Sequence, residues 1–118
     1  MSAAVEHAHA AAEAARGLCH STIWLNSGAY EWPSDVDAVV GEIGSTVERL
    51  RQALDYAEQW LTQEQAAGRV GHDDRKDAAV TVELAAMALT SARVELGRAV
   101  HSLQVAQSST SHLTGGAS

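Results

Sequence analysis

Residues 36–61 read VDAVVGEIGSTVERLRQALDYAEQWL, and this stretch decides the fold. Val36, Val40, Ile43, Val47, Leu50, Leu54, Ala57 and Leu61 follow one another at alternating steps of four and three, the spacing of one stripe along an α-helix. A thinner stripe of Val39, Thr46, Ala53 and Trp60 recurs every seven residues beside it. The apolar face is wider than a two-stranded zipper needs, so this helix expects more than one neighbour.

On its C-terminal side, Gly68 and Gly71 bracket a short turn, and Asp73 or Asp74 offers a cap for a further helix. That helix runs from about Asp74 to Gln107 with a seam of Val82, Ala85, Leu89, Ala92, Leu96, Ala99, Leu103 and Ala106. The two segments form a long antiparallel hairpin in which Leu50 and Leu54 face Leu89, Ala92 or Leu96. On the N-terminal side, Ser34 reads as a cap, with Asp35 and Asp37 in the first turn where the helix dipole favours negative charge. Gly41 and Gly44 inside the helix have two readings: tolerated weak spots, or the place where an Ala-rich helix packs backbone to backbone.

Such a helix precedes them. Ser2 caps a segment reaching about Leu25, whose apolar side is Val5, Ala8, Ala12, Ala15, Cys19 and Thr22, with Leu18, Ile23 and Leu25 on the flank. This stripe predicts a buried, slow-reacting Cys19. Gly28 and Pro33 turn the connector, which carries Tyr30 and Trp32 just after Trp24. Three aromatics so close either line a ligand groove or plug the open end of a bundle.

The expected fold is all-α: one domain over residues 1–107, an up-down-up three-helix bundle with helices at about 2–25, 34–67 and 74–107. A flexible tail follows over residues 108–118. Twenty-three Ala, one Pro and no Phe fit helix throughout and a thin core, and seven Arg against one Lys is the bias of a GC-rich bacterial genome.

Charge and chemistry narrow the function. The net charge is −7, and the basic cluster Arg69, Arg75 and Lys76 is neutralised by Asp73, Asp74 and Asp77, which argues against nucleic acid. No apolar run approaches the ~18 residues a membrane span needs, a single Cys makes no internal disulfide, and residues 1–20 lack a signal-peptide pattern. Cytoplasm is the expected compartment. Glu6 and His9 have the Glu-x-x-His spacing of di-iron bundles, but one copy on the polar side of a helix makes no metal site. Cys19 and His20 point about 100° apart and make no thiolate pair. There is no phosphate loop or nucleophile elbow, so neither enzyme activity nor a cofactor is expected.

What remains is surplus apolar surface. Val80, Met87 and Val94 recur every seven residues on the side of helix 3 away from its seam, with Leu84 beside them. Helix 1 is too short to cover helix 2 beyond about Ala57, which leaves Trp60 and Leu61 uncovered. Trp60, Leu61, Val80, Leu84, Met87 and Val94 are therefore the candidate interface, for a second copy or a helical partner protein. The expected role is that of a small accessory or adaptor protein self-associating through the hairpin tip. The competing reading is a small-ligand-binding regulator that uses Trp24, Tyr30 and Trp32 as a pocket wall.

Overall fold

The computed structural model describes residues 2–115 and is an all-α, up-down-up three-helix bundle. α1 spans Ala3–Thr22, α2 Pro33–Ala66 and α3 Ala78–Thr110. Among the described residues, no helix is long and apolar enough to cross a membrane.

Local chemistry sets each helix end. The Ser2 hydroxyl accepts the Val5 N–H at 3.3 Å to open α1. The helix stops at Thr22, short of Leu25, where the Ser21 and Thr22 hydroxyls both donate to the Leu18 carbonyl. α2 starts one residue before Ser34, because Pro33 takes the first helical position, where its missing N–H costs nothing and its fixed φ suits the helix. Capping falls to Asp35 instead of Ser34: its Oδ2 accepts the N–H groups of Glu31 at 2.8 Å and Trp32 at 2.9 Å. Those two bonds hold the Asp35 carboxyl below its ordinary pKa.

α2 ends in a Schellman motif. Gly68 sits at φ +75°. The Gly68 and Arg69 N–H groups donate to the carbonyls of Gln65 and Glu64, both at 3.0 Å. The position after Gly68, which usually makes an apolar contact back to the helix, here carries Arg69, paired in a fork with the Glu64 carboxylate at 2.6 and 3.0 Å. α3 begins later than Asp74 because residues 72–75 form a turn. Arg75 N–H donates to the His72 carbonyl, Arg75 sits at φ +59°, and the Asp74 N–H is taken by His72 Nδ1. Asp77 is the cap, accepting the Ala79 N–H at 3.0 Å. At the far end α3 continues past Gln107 to Thr110, whose hydroxyl donates to Asp37 Oδ1 of α2 at 2.6 Å. Residues 108–110 of the expected tail are therefore helical, and 116–118 lie outside the described residues.

α2 and α3 keep one antiparallel register along their length. Asp37 meets Thr110, Gly41 Gln107, Gly44 Leu103, Arg51 Gly97, Asp55 Arg93 and Glu58 Thr90, and in every pair the residue numbers add to 147 or 148. The side chains drawn into the seam are Val36, Val40, Ile43, Val47, Arg51, Leu54, Glu58, Leu61 and Gln65, facing Val82, Ala86, Leu89, Arg93, Leu96, Val100, Leu103 and Gln107. The α2 series takes two four-residue steps in a row, Ile43 to Val47 to Arg51, where the expected stripe alternates four and three. The α3 series keeps the seven-residue repeat, with Val82, Leu89, Leu96 and Leu103 as expected and Ala86, Arg93, Val100 and Gln107 one residue beyond the expected alanines, of which Ala85 and Ala92 are also half-buried. Leu50, Ala57, Ala99 and Ala106 are consequently exposed, and Arg51, Glu58, Val100 and Gln107 stand in their place. Leu54 keeps its inward position opposite Ala92, Arg93 and Leu96.

α1 lies beside the first half of α2 at a distance: no Cα of α1 comes within 8 Å of one in α2 or α3. The most shielded residues of α1 are Ala11, Leu18 and Thr22, while Val5 is exposed. The inner face is thus centred on Leu18, which the sequence reading placed on the flank. Cys19 is exposed and not buried, because the gap beside it stays open. Gly41 and Gly44 do not receive α1. Their missing side chains face Gln107 and Leu103 of α3, so α1 meets the opposite flank of α2, where Val39, Ile43 and Leu50 keep the backbones apart.

Candidate functional site

The hairpin seam is polar at its middle. Arg93 of α3 reaches across to Asp55 at 3.1 Å and Glu58 at 3.2 Å of α2, and the Thr90 hydroxyl donates to Glu58 at 3.0 Å. Arg51 is forked onto Glu48 of its own helix and lays its stem over Gly97. This pairing holds the Glu48 carboxyl below and the Arg51 guanidinium above their ordinary pKa values. Arg51 and Glu48 pair within α2, while Arg93, set between Asp55 and Glu58, ties α3 to α2 and helps specify how the two helices meet.

Two grooves flank α2. One, of about 630 Å³, runs between α1 and α2 and is walled by Ala11, Leu18, Val39, Ile43, Val47 and Leu50. The other, of about 580 Å³, lies between α2 and α3 over Gly41 and Gly44, and is lined with Glu48, Arg49, Gln104 and Gln107. Trp24, Tyr30 and Trp32 line neither groove; they stand exposed on the connector. Among the described residues, His72, Asp73 and Asp74 bring ligand-type atoms within 4.8 Å of one another, on an exposed turn where His72 Nδ1 already accepts a backbone N–H.

The exposed apolar surface is more informative. Among the described residues only Val82 is buried, and the chain exposes 8949 Å², where a compact monomer of 12.4 kDa exposes about 6,100 Å². Part of the exposed apolar surface forms one line. Val80, Leu84, Met87 and Val94 are each more than half exposed, and with Ser91, Arg98 and Val105 they follow one another at helical spacing along the outer side of α3. The other two candidate interface residues part from this line. Leu61 is partly buried in the seam, and Trp60, 62% exposed, lies about 120° around α2 from the residues that face α3. Val80 lies about 160° around α3 from its own inner stripe. Trp60 and Tyr56 thus make a separate exposed patch on α2, just beyond the reach of α1.

No family model, curated protein or solved structure matches the chain.

Proposed function

We propose that this protein is a small non-catalytic association domain, an accessory or adaptor protein that self-associates through the tip half of its hairpin. The observation that carries this reading is the unfinished core: Val82 alone is buried among the described residues while Val80, Leu84, Met87 and Val94 stand in one exposed line. A standard interface removes about 800 Å² from each partner, and the chain's surplus of roughly 2,800 Å² over a compact monomer exceeds that several times. An apolar line of this length on a lone chain is a liability unless something covers it.

Sedimentation at tens of micromolar tests the reading. The wild type is expected to sediment as a dimer, and Leu84→Asp as a folded monomer with unchanged helical circular dichroism. A monomeric wild type would end the self-association reading. The alternative, a small-ligand regulator built on Trp24, Tyr30 and Trp32, has less support, because those side chains are exposed and line neither groove. Quenching of their fluorescence by a bound apolar ligand would revive it.

A further inference from the structure

The outer face of α3 carries enough pattern to say how a second copy lies on it, an inference that rests on the self-association reading above. We propose that two copies pair α3 against α3 in antiparallel fashion, about a two-fold axis near residue 89, so that facing residue numbers add to 178.

The face is a single row: Val80, Leu84, Met87, Ser91, Val94, Arg98, His101 and Val105. A two-fold partner must present the same row reversed, and helical spacing allows few registers, one heptad apart. Centred lower, with numbers adding to 171, Val94 would face Asp77, the N-cap of the other α3. Centred higher, with numbers adding to 185, Met87 would face Arg98 and Leu84 would face His101. All three registers set some apolar side chain against a polar or charged one, and the choice rests on what stands beside it. With numbers adding to 178, Leu84 faces Val94, and Met87 faces Ser91, the one small residue in the row, which leaves room for it.

The same register matches the charges. Val80 then faces the stem of Arg98, and Arg98 stands between Asp77 and Glu83 of the other copy, residues that flank Val80 by three positions on either side. In the single chain Arg98 has only an exposed 3.3 Å pair with Glu95 of its own helix, and Glu83 is exposed. The contact thus has an apolar centre of Leu84, Met87 and Val94 and a complementary ion cluster at each end. Charges placed at such rims select register and orientation more than they add affinity.

The test places single spin labels at Thr81, Ala88, Glu95 and Ser102, one edge of the face, in a Cys19→Ser background. Pulsed dipolar measurement then reads the distance between copies. At 1.5 Å per residue the proposed register gives axial offsets of about 24, 3, 18 and 39 Å, a minimum at Ala88. The register adding to 171 also has its minimum at Ala88 but gives about 14, 8, 29 and 50 Å; that set, equal distances at all four sites, or a minimum elsewhere overturns the proposed register and leaves self-association standing. Absence of coupling together with monomeric sedimentation overturns both. A second measurement reads the ion cluster: Arg98→Glu weakens dimerisation about tenfold, and adding Glu83→Arg restores most of it. Failure of that rescue in a chain that still dimerises removes Arg98 from the contact.

Discussion

Gly68 sits at φ +75° with open space where a side chain would project, so a substitution there is opposed by backbone conformation alone. Gly68→Ala is expected to lower stability by about 1 kcal/mol in urea melts, with the hairpin otherwise intact. Asp35 acts on the opposite end of α2. Its folded pKa is depressed by the Glu31 and Trp32 N–H groups, so the unfolded chain binds its proton more readily. The stabilisation is therefore full above the ordinary aspartate pKa of about 3.9 and is lost as pH falls through the lower folded value. Asp35→Ala should melt below the wild type at neutral pH, and the two thermal midpoints should converge as the buffer is taken below about pH 4. Both caps were foreseen as turn and first-turn residues. Their roles were not, since Ser34 is as good a capping residue as Asp35 until Pro33 takes the first helical position.

Helix by helix, the pattern of α2 and α3 was legible because apolar residues at three and four residue steps leave little competition. Most of the seam was legible too: Val36, Val40, Ile43, Val47, Leu54, Leu61, Val82, Leu89, Leu96 and Leu103 are shielded as expected. The misses are Leu50 and Ala57, where α2 steps four residues from Val47 and turns Arg51 and Glu58 inward, and Ala99 and Ala106 of α3. Reading α2 past Val47 required knowing that Arg51 and Glu58 have partners, Glu48 on one side and Arg93 on the other. Two neighbouring leucines put this to the test. Leu54→Ala, from the seam, is expected to cost about 2 kcal/mol or more, and Leu50→Ala, from a 44% exposed position, clearly less. Equal losses in denaturant melts would restore the seam that alternates four and three.

For the molecule as a whole, length and composition announced three helices and a thin core, but not how loosely α1 is held. The small faces that permit close approach are real on both helices, yet Gly41 and Gly44 of α2 are turned away from α1. Each side-chain hydrogen bond and ion pair found for the described residues of α1 also closes within its own segment. Among the described residues, α1 is held to α2 by partial burial, chiefly of Ala11 and Leu18 along the groove between them. Hydrogen exchange should therefore show α1 amides opening well before those of α2 and α3, in a separate and faster-exchanging class. One cooperative unit spanning all three helices would contradict that. The exposed line on α3 was visible in the sequence as Val80, Met87 and Val94. Its separation from Trp60 was not, because two helices must be set side by side before it is clear which patches share a face.

The α3–α3 contact proposed above runs over residues 77–101, about 36 Å of one helix, and leaves the Val105 end of each α3 outside it. Pairs joined along a single helix face in this way are expected to trade members instead of locking. Differently tagged chains, once mixed, should redistribute into mixed pairs without passing through an unfolded state.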